Sequence, residues 1–183
     1  MTKYTTLLLV VLASTLLAAS CKKTETQLTE LQKLPPATQT GANTFGCIVN
    51  GKAWVAQRND CNIFCDPSFK VVYDPINGGN LSIEAIFIDL SPGRDQGILI
   101  GLDSTNFKRQ FGYAPNSQSI GFTFINSLNF TRSWDSLVAC TGSINLTTYD
   151  LQNRIVAGLF EFTLTKPNTE AIVVTSGRFD KRL

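Results

Sequence analysis

The fold is decided by two stretches, Val138-Ala-Cys-Thr-Gly-Ser-Ile-Asn-Leu-Thr147 and Val156-Ala-Gly-Leu-Phe-Glu-Phe-Thr-Leu-Thr165. In both, apolar or small residues alternate with polar ones at a period of two, which is the pattern of a strand with one buried face. A turn sequence at 150–153 separates them, and Lys166-Pro-Asn-Thr169 leads into a third strand over 171–179, with a bulge predicted at Ser176-Gly177. Short connections force neighbouring strands to be antiparallel, so these three strands are predicted to form a meander.

The rest of the domain shows the same pattern with less regularity. Asn50-Gly51 separates the apolar runs 45–49 and 52–56, which predicts a two-residue type I′ hairpin with Cys47 opposite Trp54. A dense turn signal over 74–79 predicts a second hairpin, and further strands are predicted over 97–102 and 120–124. About nine strands and no sustained helical period indicate an all-β fold. An antiparallel β-sandwich is favoured, with a closed up-and-down barrel as the alternative.

The amino-terminal region has the three-part form of a secretory signal. Lys3 precedes an apolar run over 7–13, and Leu16-Leu-Ala-Ala-Ser-Cys21 follows it. The run is too short to span a bilayer, which takes about 20 apolar residues. A cysteine placed directly after small residues resembles a bacterial lipoprotein signal, in which residues 1–20 are removed and Cys21 is acylated. The alternative is a plain secretory signal that leaves Cys21 free.

Acylation predicts a membrane partner and a division of the chain into three parts. Two or three acyl chains anchor a protein stably to a bilayer, and the type of signal predicts the outer membrane, with the domain facing either the periplasm or the outside. Residues 21–44 are polar and contain Pro35-Pro36, which predicts a flexible tether between the lipid and a β domain over 45–183. In the alternative, Leu28, Leu31 and Leu34 dock on the domain as a short amphipathic helix.

Composition excludes several classes of function. The chain has no histidine, so no Ser-His-Asp or Cys-His relay and no imidazole metal site can form. The formal net charge is +2, and loss of Lys3 with the signal lowers it to +1. No basic run remains that would follow a phosphate backbone, so nucleic acid is not an expected partner. No cofactor is indicated.

Four cysteines remain after Cys21, namely Cys47, Cys61, Cys65 and Cys140. An even number in an exported protein predicts two disulfides, with three possible pairings. We favour a local bridge between Cys61 and Cys65 and a second between Cys47 and Cys140, since both members of the second pair fall on apolar strand positions. A zinc site is the less favoured alternative, because the spacing is not that of paired zinc ligands.

Two segments carry a resemblance to a known family. They are Leu34-Pro-Pro-Ala-Thr-Gln-Thr-Gly-Ala-Asn-Thr-Phe-Gly-Cys-Ile-Val-Asn-Gly-Lys-Ala-Trp54, and Asn153-Arg-Ile-Val-Ala-Gly-Leu-Phe-Glu-Phe162 with Thr175-Ser-Gly-Arg-Phe-Asp180. Both resemble an uncharacterised family of Bacteroidota lipoproteins, a domain of unknown function. The resemblance implies an envelope location and a β fold, and it implies no catalytic residue.

Candidate functional residues fall into three sets. Trp54, Trp134 and Tyr113, with Phe111, are candidates for an aromatic platform that binds a carbohydrate or another small apolar ligand. Ser104 and Ser136 each follow an aspartate in Asp103-Ser-Thr and Asp135-Ser-Leu, which resemble a short acceptor pattern for O-glycosylation in Bacteroidota. Glu84 and Glu161 lie within strong strands, where solvated strand faces explain them better than a catalytic carboxylate pair.

Taken together, these features predict a lipid-anchored protein of the cell envelope that is not an enzyme. Its expected role is that of a binding or structural module, with an envelope protein or glycan as a possible partner. A carbohydrate-binding or small-apolar-ligand-binding lipoprotein is the alternative function.

Overall fold

The computed structural model describes residues 28–59, 66–75, 79–88, 95–102, 111–112, 120–126, 129–132 and 136–183. They form two β-sheets packed face to face, which makes the protein an all-β sandwich, as predicted. The strands of the first sheet are β1 (Thr44–Val49), β2 (Lys52–Val55), β7 (Phe111–Gly112), β10 (Ala139–Asp150), β11 (Ile155–Thr165) and β12 (Ile172–Arg182). Their spatial order is β2-β1-β12-β11-β10-β7, and all pairs are antiparallel.

The second sheet comes from the middle of the chain. Its strands are β3 (Gln57–Arg58), β4 (Phe69–Asp74), β5 (Asn80–Ile88), β6 (Gln96–Leu102), β8 (Ile120–Asn126) and β9 (Asn129–Arg132). The spatial order is β3-β5-β6-β8-β9, and β4 pairs with the same edge of β5 as β3 does. Only the two-residue pairing of β3 with β5 is parallel among the strands described.

The carboxyl-terminal meander is confirmed. Strands β10, β11 and β12 are consecutive antiparallel neighbours. The register of β11 on β12 shifts from Phe160 opposite Gly177 to Phe162 opposite Val174, so β12 carries one extra residue there. Ser176 has a φ of 53° at this point, which confirms the predicted bulge. A Cβ on Gly177 would lie 2.5 Å from the Phe160 ring, so the ring occupies the space that any other residue would fill.

The first hairpin is also confirmed. Asn50 and Gly51 have φ values of 46° and 79°, as a type I′ turn requires, and Cys47 lies opposite Trp54. Asn50 also fixes this turn to the start of β12. Its backbone N–H donates to the Val173 carbonyl at 2.9 Å, and its side-chain oxygen accepts from the Val173 N–H at 2.8 Å.

Aromatic side chains hold the two sheets together. Phe122 of the second sheet stacks on Phe162 of the first with 4.6 Å between ring centroids, and Phe69 packs on Phe45 at 5.4 Å. The buried core contains alternating positions of the two stretches that predicted the fold: Cys140, Ile144, Val156, Phe160 and Leu164. The second sheet contributes Leu81, Ile83, Ala85, Ile98, Ile100 and Phe124 to the same core. Aromatic pairs of this kind contribute about 0.5–1.5 kcal/mol beyond the area they bury.

Three short strands were not predicted. Strands β3, β7 and β9 have only two, two and four residues. A periodic pattern cannot be recognised over two residues, which is why β3 and β7 could not be predicted. The side chain of Phe111 is not among those described, although its backbone pairs with Ile144.

The segment before β1 lies on the outer face of the first sheet. Thr29 forms a capping box with Gln32 at the start of a 3₁₀ turn, Glu30–Lys33, which we call the amino-terminal turn. Residues 34–43, which we call the strap, then cross the sheet. A Cβ on Gly46 would lie 2.7 Å from Pro35 Cδ, and the Gln39 side chain accepts from Thr148 Oγ1 on β10 at 2.8 Å.

Asp180 of β12 anchors the strap. This residue is 1% exposed, and its Oδ2 accepts from Thr38 Oγ1 at 2.7 Å, from Thr40 N at 2.9 Å and from Ala42 N at 3.1 Å. Its Oδ1 accepts from Gly41 N at 2.7 Å. Burial alone raises the pKa of this carboxyl, yet the hydrogen bonds together lower the pKa below its ordinary value. Asp180 is therefore a buried carboxylate held by the strap.

The strap changes the predicted boundary between tether and domain. The sequence predicted a flexible tether that extends to residue 44. In the structure, residues 34–43 pack on the sheet, and Leu34 is buried. Leu28 and Leu31 remain 56% and 53% exposed, so they do not dock as the alternative proposed. The part of the chain that is described contains no helix with the length and hydropathy needed to cross a membrane.

Candidate functional site

A cleft of about 670 Å³ opens between the two sheets at one end of the sandwich. The first sheet contributes the β1–β2 turn and the region where β11 turns into β12. The second sheet contributes the end of β5, the start of β6 and the β8–β9 hairpin. A volume of this size lies within the range of about 300–1,000 Å³ that is usual for small-molecule sites.

The floor of the cleft is apolar. It consists of Val49, Trp54, Phe87, Phe124, Leu164 and Ile172. Trp54 is 5% exposed, because it packs edge-on against Phe45 with 5.8 Å between ring centroids and also contacts Phe87 at 6.4 Å. Its indole N–H donates to Gln96 Oε1 at 2.9 Å, a bond that joins the two sheets across the cleft. Trp54 therefore forms a rigid part of the cleft floor, and its indole N–H is already hydrogen-bonded.

The rim of the cleft is polar and carries a small excess of positive charge. It consists of Asn50, Lys52, Gln96, Asn126, Asn129, Thr131, Lys166, Thr169 and Glu170. Among the described residues of the rim, two lysines and one glutamate give a formal charge of +1. Amide and hydroxyl groups around an apolar floor are the arrangement that orients a ligand with both apolar and polar parts.

The amino-terminal turn lies directly beside this rim. Glu30 Oε2 accepts from the backbone N–H of Ala53, a cleft residue on edge strand β2, at 2.7 Å. Glu30 also pairs with Lys33. The hydrogen bond from Lys33 is the main reason that the pKa of Glu30 is lowered, and the bond from Ala53 adds to it. The turn thus occupies an exposed N–H of the edge strand, which limits pairing with a further strand.

The structure brings together only part of the predicted aromatic platform. Trp54 lines the cleft, whereas Trp134 and Tyr113 lie outside the described residues. The cleft residues Phe87, Gln96, Asn126 and Lys166 were missed as a site. They fall in separate strands and turns, and only the order of strands in the two sheets brings them to one end.

The predicted disulfide between Cys47 and Cys140 is wrong, because both carry free thiols. Cys47 is in β1 and Cys140 in β10, and β12 and β11 lie between them. Three strand spacings of about 4.8 Å place them roughly 14 Å apart. A disulfide needs Cα atoms within about 7 Å. Cys61 and Cys65 lie outside the described residues, so their local bridge remains a prediction.

Burial governs the chemistry of the two free thiols. Desolvation raises the pKa of Cys47 to about 12 and that of Cys140 to about 11. A thiol with a raised pKa is a poor nucleophile, because the thiolate is the reactive form. Cys47 and Cys140 are core residues, and they have no features of a reactive site.

The remaining candidates do not converge. Glu84 alternates with the core residues Ile83 and Ala85, and Glu161 with Phe160 and Phe162, so the two carboxylates lie on the outer faces of opposite sheets. They cannot face one cleft. No group of three or more metal-ligating side chains occurs among the described residues. Ser136 is exposed in a turn, as a glycan acceptor must be, and Ser104 lies outside the described part of the chain.

Comparison of the chain with family models, with curated proteins and with solved structures found no match. The class of protein is therefore defined by its architecture, an all-β sandwich with a ligand-sized cleft at one end.

Proposed function

We propose that this protein is a lipid-anchored β-sandwich of the bacterial cell envelope that binds a small, partly apolar ligand in the end cleft and catalyses no reaction. The cleft carries this proposal, because its apolar floor and polar rim combine burial with orientation in a volume suited to a small molecule. Anchoring would occur through an acylated Cys21, most simply at the outer membrane.

The geometry favours a ligand with an apolar part over a flat sugar. Stacking of a sugar ring uses an accessible aromatic face, whereas Trp54 is 5% exposed and packed on both Phe45 and Phe87. The apolar floor is recessed between the sheets, where an alkyl or aryl group would displace water from the partly buried side chains of Phe87 and Ile172. The rim would then bind the polar part of the ligand.

The side chains of the cleft also support a binding role. Among the described residues that line the cleft, Glu170 is the one carboxylate, and Lys52 and Lys166 are the cations. A glycosidic hydrolase mechanism needs two carboxylates that flank one bond, whereas Glu84 and Glu161 lie on opposite outer faces. These observations favour binding over turnover.

The test uses the uncharged fluorescent probe N-phenyl-1-naphthylamine and the mature chain from residue 21 with Cys21→Ser, which lacks the lipid. Thr131→Trp would place a large side chain into the cleft, and Thr169→Trp would do so from the facing turn. Thr141→Trp adds the same group on the exposed outer face of β10 and is the matched control.

The proposal predicts that the parent and Thr141→Trp bind the probe saturably. It also predicts that the Kd for the probe is about tenfold or more higher in each of the two cleft variants. Equal binding by all four proteins, or no saturable binding by the parent, would overturn it. Thermal melting of each variant confirms that it is folded. The anchor is tested separately, because the intact mass of the membrane-extracted protein must equal residues 21–183 plus acyl groups.

A further inference from the structure

The amino-terminal turn lies at the same end of the sandwich as the cleft. The amino-terminal turn lies at Ala53, which lines the cleft. The strap then runs to the far end of the sandwich, where the Asn43 side chain accepts from the backbone N–H of Arg182 at 3.3 Å. Arg182 pairs with Ile155 at one end of β11, and the cleft residue Leu164 lies near the other.

Only a short length of chain separates that end from the proposed lipid. Leu28 follows Cys21 by seven residues. Seven residues span at most about 25 Å even when fully extended. An acylated Cys21 would therefore keep Leu28, which precedes the turn beside the cleft, within that distance of the bilayer.

The surface beside the cleft suits a membrane interface. Leu28 and Leu31 are 56% and 53% exposed, and the same turn contains Lys33, which pairs with Glu30. Lys52 on the cleft rim is close enough to Glu30 to contribute to lowering the pKa of that carboxyl. Exposed leucines next to lysines match the boundary between acyl chains and anionic head groups.

The cleft itself has an apolar part and a cationic part. Lys52 and Lys166 both line it, and neither forms a salt bridge with any carboxylate in the described part of the chain. The floor beneath them is formed by aliphatic and aromatic side chains. A ligand that satisfies both features has one apolar chain and one anionic group.

We infer that the cleft binds a single-chain amphiphile with a carboxylate or phosphate head group, and that it takes this amphiphile from the bilayer to which Cys21 anchors the protein. The apolar chain occupies the floor at the partly buried Phe87 and Ile172, and the head group lies at Lys52 and Lys166. This inference rests on the proposed function, to which it adds the class and the source of the ligand.

The first experiment measures displacement of N-phenyl-1-naphthylamine by oleate from the Cys21→Ser mature chain. Lys52→Gln/Lys166→Gln removes the two rim cations, and Lys70→Gln/Arg154→Gln removes two cations from elsewhere on the surface as the matched control. We expect the rim variant to weaken oleate binding about tenfold, which is the effect of two exposed ion pairs. Binding of the uncharged probe should change less than about twofold in both variants.

The outcomes separate the inference from the proposed function. Two results would overturn the inference and leave the proposed function standing. In the first, the probe binds saturably but oleate does not displace it. In the second, oleate displaces the probe equally well from the parent and from the rim variant. Absence of saturable probe binding would overturn both.

The second experiment locates the membrane relative to the cleft. The lipidated protein carries Trp134→Phe, so that Trp54 is its one tryptophan. It is bound to phosphatidylcholine vesicles that contain a dansyl-labelled lipid, and the quenching of tryptophan emission by the dansyl group is measured. A second variant adds Asn153→Trp in the β10–β11 turn, at the end of the sandwich opposite the cleft. Because Trp54 remains in both proteins, the comparison does not depend on a substitution in the core.

We expect the fractional quenching to fall when Asn153→Trp is added, because the new donor lies roughly 20 Å farther along the strand direction from the bilayer. An unchanged or increased fractional quenching would show that the cleft end does not face the membrane, and it would overturn the bilayer as the source of the ligand.

Discussion

The carboxylate of Asp180 accepts the hydroxyl proton of Thr38 at 2.7 Å, although the two residues are 142 positions apart in the chain. The same carboxylate accepts three backbone N–H groups of the strap, from Thr40, Gly41 and Ala42. Asp180 thus connects the last strand of the first sheet to the segment that precedes the first strand.

Asp180→Asn is expected to destabilise the protein by about 3 kcal/mol. The amide keeps one acceptor oxygen, but its NH₂ group would face backbone N–H donors, so buried groups on both sides would lose their partners. Urea unfolding measures the change. Asp150→Asn is the matched control: this carboxylate accepts from Asn153 in an exposed turn, and its loss should lower the unfolding free energy far less than the loss of Asp180 does. Equal effects of the two substitutions would contradict the anchoring role of Asp180.

The contribution of Asp180 should depend on pH with a definite sign. Its folded-state pKa is lowered, whereas an unfolded aspartate has a pKa of about 3.9. The stabilisation is therefore fully present above about pH 4 and is lost as the pH falls through the lowered folded-state pKa. The difference in unfolding free energy between the parent and Asp180→Asn should be constant from about pH 6 to pH 8 and should shrink below pH 4. A difference that grows in acid would reverse the sign and refute this assignment.

Gly177→Ala is expected to cost about 2 kcal/mol, because its Cβ would lie 2.5 Å from the Phe160 ring and the ring must move within a packed core. Gly101→Ala provides the comparison, since a Cβ there meets no atom within 4 Å. That variant should be neutral or slightly stabilised, as an alanine in a strand restricts the unfolded chain more than a glycine does. Thermal or urea unfolding of both proteins decides the matter, and a neutral Gly177→Ala would show that the core at Phe160 is loose.

Cys47 and Cys140 should resist alkylation in the folded protein. Their pKa values are raised to about 12 and about 11 by burial, so few thiolates exist at pH 8. Peptide mass mapping after iodoacetamide treatment should find both unmodified in buffer and both modified in urea without a reducing agent. Ser136→Cys, at an exposed turn, should react rapidly and serves as the positive control. A requirement for reductant in urea would indicate a disulfide and contradict the free thiols.

Local features of the fold could be predicted from the sequence because their causes are local. Asn50-Gly51 determines its own turn geometry, and that turn determines that Cys47 lies opposite Trp54. The alternation through β10 and β11 likewise identifies which residues are buried. The bulge at Ser176 was predictable because a serine–glycine pair interrupts the period of two.

Features that depend on the order of strands could not be predicted. Cys47 and Cys140 both face the core, as expected, yet two strands separate them. Asp180 shares a strand face with Arg178, and a local reading would pair the two charges. Instead, the strap donates hydrogen bonds to the Asp180 carboxylate, and Arg178 donates to the Ser176 carbonyl at 3.2 Å. The cleft was missed for the same reason, since Gln96 and Trp54 meet only across the two sheets.

The strap has a consequence for the order of events during synthesis. Strand β1 pairs with β12, and Asp180 in β12 is also what holds residues 38–42 in place. The chain emerges amino terminus first, from the ribosome and from any export machinery, so residues 38–42 cannot bind Asp180 until β12 has emerged as well. The strap is thus fixed late, when the carboxyl-terminal strand joins the sheet.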